Sequence, residues 1–364
     1  MALRAVRSCD PPSTLPPLTS APCKSASCES ADMVDSVLAP VDLPSVKPRI
    51  LVIRGGAIGD FILTLPAIKL LRENFPNAHI EILGYRHIIA IAEGRFYADG
   101  ARSIEYGPMA GFFIPNGTLE PALVEYFASF HQVVSYLFDP DGFFEGNLRR
   151  AGVKNFLPAY QKMDDSEHAS LQLARPLQKM ALFLEDHAAT VHPTTEDRAF
   201  AEEFLGPSTA SIIAIHPGSG SPRKNWPVER WTALAQWILA RDPATSILLI
   251  GGEADEAQFE KLLAVLHGGN VHLARDLPLP HLAVLLEKCA LFLGHDSGIS
   301  HLAAAVGIPC VLLFGPTDPT IWAPASPRVK VIPAPDQDLE NLSLADVQIV
   351  IQIHMGDPLP LRVL

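Results

Sequence analysis

Twice in this chain a short apolar strand runs straight into a glycine turn and then into a helix. The first case is 49-RILVIRGGAIGDFILTLPAIKLLRENFP-76. Ile50 to Ile53 reads as a buried strand, Gly55, Gly56 and Gly59 as a turn, and Asp60 as a cap for the helix that follows. A strand at 79-HIEILGY-85, a helix at 87-HIIAIAEG-94 and a strand at 132-QVVSYLF-138 continue the pattern. The stretch 160–210 is polar and helical, with little strand signal. Then the pattern restarts. Ser211 to His216 is a strand that ends in 216-HPGSGSPRKNWP-227, Pro227 suits a first helical turn, and Val228 to Ala240 carries apolar residues at helical spacing. A strand at 246–250, helices at 255–266 and 278–289, a strand at 329–332 and a helix near 344–355 complete it. Strands alternating with helices predict parallel sheets with helices on both faces. The expected organisation is an extension at 1–48, an α/β domain at 49–190 and a second at 191–364.

A chain of 364 residues, 48% of them apolar, is long enough to bury two cores. Residues 1–48 are rich in proline and serine, contain no glycine or aromatic residue and have no sustained period, so they read as a disordered extension or as the result of a start codon set too early. The formal net charge of −12 argues against nonspecific nucleic-acid binding, which needs a basic surface. No run of 18 residues is apolar and free of charge and proline, and no secretory signal is recognisable. Cys9, Cys23, Cys28, Cys289 and Cys310 form no metal-spaced pair. Their odd number and lack of a disulfide framework point to a reducing cytosol, with Cys289 and Cys310 as core residues.

In open parallel sheets, ligands bind beyond the carboxyl ends of the strands. Three loops there carry unusual chemistry. In 54-RGGAIGD-60, Gly56 and Gly59 give only half of a dinucleotide fingerprint, so the loop is either a tight turn with an N-cap or a rigid mount that holds Asp60 in a cleft as a proton acceptor. In 216-HPGSGSPRKNWP-227, Gly218, Ser219 and Gly220 can expose backbone N–H groups to an anion, with Arg223 and Lys224 adding positive charge. The third loop, 294-GHDSGISHLAAAVGIPCVLLFG-315, sets His295, Asp296 and Ser297 side by side. It is no nucleophile elbow, because the serine is misplaced for G-x-S-x-G. His295 and His301 lack further ligands at metal-binding spacing. A helix N-terminus is the better reading, with Ser297, Gly298 and His301 around a diphosphate and Asp296 on a sugar or ribose hydroxyl. The D-x-D at 139-DPD-141 lies away from these loops and reads as a loop end.

These loops, in this order, resemble glycosyltransferase family 9, the ADP-heptose:lipopolysaccharide heptosyltransferases. The resemblance covers about 49 to 355 and rests on 54-RGGAIGDFILTLPAIKLLR-72, 216-HPGSGSPRKNWP-227, 251-GGEAD-255 and 295-HDSGISHLAAAVGIPCVLLFGPTDPTIWAP-324. It implies the GT-B fold, two Rossmann-like domains facing a cleft, with the acceptor on the first domain and the nucleotide sugar on the second. It implies inverting, metal-independent transfer with no cofactor, most simply of heptose from ADP-heptose to a lipopolysaccharide-core or related glycan. By matching positions, Asp60 looks like the general base, Arg54 a basic position in the same loop, and Lys224 the lysine at the donor phosphate. Asp296 matches the residue that holds sugar hydroxyls; Ser297, Gly298 and His301 match the diphosphate-binding turn. Arg54, Gly59, Arg86 and Arg95, with His87, Arg149 and Arg150, are the acceptor-side candidates. The expected partners are a nucleotide sugar and a glycan or glycolipid, not nucleic acid. The expected place is the cytoplasm, with peripheral contact at the inner membrane's cytoplasmic face if the acceptor is a lipid. Few basic residues in the first domain and a net charge of −12 sit awkwardly with a strongly phosphorylated acceptor. A GT-B-like nucleotide-sugar epimerase and a non-catalytic nucleotide-sugar-binding protein are the rival readings.

Overall fold

The computed structural model describes residues 47–207, 211–252, 256–266 and 270–354. The extension expected at 1–48 lies outside them up to residue 46, as do Cys9, Cys23, Cys28 and the last three residues of 251-GGEAD-255. The ladder already holds Pro48, whose carbonyl accepts the His79 N–H at 2.7 Å.

In chain order the first half contains β1 (Arg49–Arg54), α1 (Ile58–Asn74), β2 (His79–Gly84), α2 (Arg86–Ile89), β3 (Gly100–Ser103), α3 (Pro121–Ala128), β4 (Gln132–Ser135), α4 (Phe143–Arg150), β5 (Phe156–Pro158) and α5 (Ala169–Ala174). The second contains α6 (Thr195–Leu205), β6 (Ile212–Ile215), α7 (Val228–Arg241), β7 (Ser246–Gly251), α8 (Glu256–Leu263), β8 (Val271–Arg275), α9 (Leu279–Glu287), β9 (Leu291–His295), α10 (Gly298–Val306), β10 (Cys310–Phe314), α11 (Pro319–Trp322), β11 (Val329–Pro333) and α12 (Leu344–His354). The strand order is β3-β2-β1-β4-β5 in the first sheet and β11-β10-β9-β6-β7-β8 in the second. Every pairing is parallel.

The central strands are apolar on both faces because helices cover both; β7, β9 and β10 are buried throughout. Strand order reverses between β1 and β4 in the first sheet and between β6 and β9 in the second. The loops that leave the carboxyl ends of these strands diverge there and open a crevice. The 54–60 loop leaves β1, the 216–227 loop leaves β6, and the 296–297 turn leaves β9.

One apolar cluster runs from Ile50 and Val52 through Phe61 and Leu65 of α1 to Leu302 of α10 and Leu312 of β10. The two sheets are thus joined through α1 and α10. The contact is closest where these helices begin. A Cβ on Gly298 would lie 2.7 Å from the Ile58 Cβ and 2.9 Å from the Gly59 nitrogen, closer than a side chain tolerates. Only glycine lets the two helix starts approach this closely.

Two features differ from the sequence reading. The helix expected at 87–94 is a four-residue turn, Arg86–Ile89, because the chain is pulled into a bridge from Glu93 to Ala98. The short strands β3 and β5, and the polar edge strand β8, carry too little apolar pattern to be recognised. Among the described residues no helix is long and apolar enough to cross a membrane. Cys289 and Cys310 are buried thiols, and burial pushes both up to about 12.

Candidate active site

Two helix N-termini converge on one cleft of about 360 Å³, bounded by Gly59 and Asp60 of α1, Ser219, Lys224, Asp296 and Thr317, with Ser297, Gly298 and His301 of α10. Each helix start presents unpaired N–H groups and a partial positive charge. Asp60 also lines a second crevice of about 420 Å³ at the first sheet's switch point, together with Arg54, Tyr136, Phe138 and Tyr160. The carboxylate therefore stands where the two spaces meet.

Asp60 is held from both sides. It is the third residue of α1, and its Oδ2 accepts the Ala57 N–H at 2.9 Å in the manner of a capping box. Its Oδ1 lies 3.5 Å from the Arg54 guanidinium. Arg54 in turn donates to the Thr64 hydroxyl (2.9 Å) and to the Asp60 carbonyl (3.2 Å), and Thr64 donates to that carbonyl at 2.7 Å. Burial works against the Arg54 charge and lowers its pKa, while Asp60 and its neighbours oppose that shift. The Asp60 side chain keeps 41% of its surface exposed, so a hydroxyl can reach it.

Across the cleft, the Lys224 ammonium donates to Asp296 Oδ2 at 2.6 Å, and the Thr317 hydroxyl donates to the same oxygen at 2.8 Å. Asp296 Oδ1 faces the His301 Nε2 at 4.0 Å. His301 is 5% exposed, and burial lowers its pKa to about 4 against the opposing pull of Asp296. It is therefore a neutral imidazole at pH 7. Ser297 caps α10 by accepting the Ser300 N–H at 3.3 Å, and its hydroxyl also lies 3.3 Å from His216 Nδ1.

His295 does a different task from its neighbours. Its Nε2 accepts the Trp226 backbone N–H at 2.8 Å and the Trp231 indole N–H at 3.3 Å. The proton must then sit on Nδ1, which faces the Gly218 carbonyl at 3.3 Å. One neutral ring thus fastens both ends of the 216–227 loop to the end of β9. Such bonds contribute about 1 kcal/mol each, and a buried donor left unpaired costs about 1–3 kcal/mol. Within that loop the Ser219 hydroxyl lies 2.6 Å from Asn225 Oδ1.

Several predicted site residues fall elsewhere. Gly218 is buried behind the loop, and Gly220, at φ +69°, shapes the turn without lining the cleft. Arg95 is withdrawn as an acceptor contact: it forks onto Asp197 at 2.6–3.1 Å and donates to the Ala90 and Glu93 carbonyls, which occupies all its N–H groups. Arg86 pairs with Glu93 at 2.7 Å and lines a third space with second-domain residues, apart from the crevice beside Asp60. That space, about 650 Å³ and largely apolar, lies between Ile58, Arg86 and His87 on one side and His216, Gly252 and Leu277 on the other. Arg149 holds Glu145 and the Lys154 carbonyl, and Arg150 holds Asn147 and the Gly117 carbonyl. Asp139 of the D-x-D accepts the Phe144 and Glu145 N–H groups and caps α4.

The sequence reading missed Thr317 and the aromatic wall of Tyr85, Tyr136, Phe138 and Tyr160. The available signal was position. Thr317 follows β10, and the aromatics follow β2, β4 and β5, all at carboxyl ends.

Two parallel α/β sheets whose switch points open on one cleft define the GT-B arrangement. The sequence profile of glycosyltransferase family 9 (heptosyltransferase) matches residues 154–347, more than half of the chain, and the chain belongs to that family. Among similar proteins is lipopolysaccharide heptosyltransferase 2 of Escherichia coli K12, 30% identical over 135 residues. That alignment covers 36% of this chain and 38% of the relative, so the chain matches well under half of the relative's length. Among solved structures, a family 9 glycosyltransferase from Veillonella parvula superposes with a TM-score of 0.70 at 19% identity, covering 85% of this chain and 98% of that one. E. coli ADP-heptose LPS heptosyltransferase II does so with a TM-score of 0.67 at 18% identity, over 85% and 98%. These two likenesses concern the fold.

Proposed function

We propose that this chain is an inverting glycosyltransferase that moves heptose from ADP-heptose to a lipopolysaccharide-core or related glycan, without a metal ion. The observation that carries the reading is the place of Asp60, on the border between the aromatic crevice and the cleft that holds Lys224 and two helix starts. An acceptor hydroxyl entering from the first side meets a carboxylate able to take its proton as it attacks the anomeric carbon. Attack from the face opposite the leaving group inverts that carbon. On the other side the leaving diphosphate gathers negative charge, and Lys224 with the N-termini of α1 and α10 would hold it. Asp296 would turn Oδ1 to the sugar hydroxyls while Oδ2 stays on Lys224 and Thr317. The apolar space beside His216 and Leu277 suits the flat base of the nucleotide. The relatives named for heptosyl transfer, one of them for ADP-heptose, support the choice of donor.

Calorimetric titration with ADP, UDP, GDP and dTDP, each with and without EDTA, tests this. ADP is expected to bind best and equally in both conditions. A preference for UDP would move the function to another sugar, loss of binding in EDTA would overturn metal independence, and binding of none would remove the donor site.

A further inference from the structure

The acceptor-side crevice is walled by aromatic rings and is poor in cations. Phe138 and Tyr160 lie at its mouth, 67% and 45% exposed, with ring centroids 5.0 Å apart. Tyr85 and Tyr136 complete the wall. Large aromatic rings left open to water beside a reactive carboxylate mark a surface that waits for a ligand. Of the two cations here, Arg54 is committed to Asp60 and Thr64, which leaves Lys162 on the wall. The loops that carry the rings run on into acid: Phe138 into Asp139 and Asp141, Lys162 into Asp164 and Asp165. A ligand rich in phosphate or carboxylate would need several guanidinium or ammonium groups, which this lining does not offer. At the floor, the Tyr136 hydroxyl is buried with no hydrogen-bond partner.

We propose that the acceptor bound here is a neutral pyranose, one C–H face laid on the Phe138–Tyr160 pair and a hydroxyl directed toward Asp60. The ring C–H bonds carry slight positive charge and meet the negative faces of the aromatic rings, so the surface selects a sugar by its apolar face and not by charge. This inference rests on the sugar-transfer reading and names the acceptor class for the same site.

The test is saturation-transfer NMR on the full chain. The probes are methyl α-D-glucopyranoside and methyl α-D-mannopyranoside against mannose 6-phosphate and 3-deoxy-manno-octulosonate. Neutral glycosides are expected to bind with dissociation constants on the order of millimolar. Phe138→Ala and Tyr160→Ala should each weaken them about fivefold while Phe138→Trp preserves binding. ADP affinity should be unchanged in all three variants, because neither ring lines the donor cleft. Tighter binding of the charged sugars, no binding of any neutral pyranoside, or binding indifferent to both alanine variants would overturn the proposal. Failure of the transfer reading shows separately, in the nucleotide titration of the unaltered chain.

Discussion

The two switch-point crevices share a construction and differ in what fills it. At the second, the polar side chains around Asp296 are already engaged: Lys224 and Thr317 hold Asp296, Ser297 caps α10, and His295 behind them pins the loop. At the first, Arg54 and Thr64 brace Asp60, but the walls are aromatic and open, and one hydroxyl is buried without a partner. The first is shaped for a surface to be laid against it, the second for charge to be held at fixed points. A transferase needs this asymmetry. On the proposed reading, the second crevice must meet a defined charge that grows during reaction, and the first must hold a hydroxyl in line for attack.

The comparison is broken most severely at Asp60. Asp60→Ala should lower turnover by roughly 10²–10⁴, the scale of a general base, while ADP affinity stays within about threefold. Single-turnover rates and calorimetry on the same preparation separate these effects. A parallel loss of nucleotide binding would place Asp60 in the donor site and not on the border.

Within the donor crevice, Lys224 and Asp296 can be told apart. Lys224→Ala removes the cation and leaves Asp296, 10% exposed, with only a hydroxyl partner, so a buried negative charge then faces the incoming diphosphate. ADP affinity should fall about tenfold, in keeping with the loss of a charge-assisted hydrogen bond. Asp296→Asn should act oppositely on the nucleotide, leaving ADP affinity equal or tighter because Lys224 is released, while turnover of the nucleotide sugar drops. If both substitutions weaken ADP alike, Asp296 contributes to the phosphate site only by its charge, and its proposed hold on the sugar fails.

The legibility of these crevices in the sequence was unequal for a physical reason. Loops built on backbone and helix ends demand glycine, serine and a cap at set spacing, so Ser219, Lys224, Asp296, Ser297 and His301, which line one cleft, could be picked from one sequence. The buried parallel strands were legible too, as unbroken apolar runs such as 291–294. A wall of aromatic side chains imposes no spacing, because Tyr85, Phe138 and Tyr160 come from three loops that meet only once the sheet order is known. The error over Arg95 has the same source. Its partner Asp197 lies 102 residues away, and nothing local distinguishes an arginine clamped to a helix cap from one waiting for a ligand.

The smallest expected effect concerns protons, and it too separates the crevices. Among the described residues that line the first crevice there is no histidine. The second has His301, held neutral by burial with its pKa lowered to about 4. Behind it, His168 is lowered as well, chiefly by burial, with its Nε2 at 2.7 Å from the Ala323 carbonyl. An unfolded histidine titrates near 6.5, so as pH falls from about 6.5 toward 4 the unfolded chain takes up protons that the folded chain refuses, and stability falls. For His301 this amounts to about 1 kcal/mol between pH 7 and pH 5.5. Urea midpoints of the protein and of His301→Gln at the two pH values isolate the contribution, since carboxylates and His168 titrate in both. The substituted chain should lose less stability than the original on acidification. Equal losses would mean that His301 accepts a proton in the folded state, and the imidazole would then stand beside Asp296 as a cation competing with Lys224.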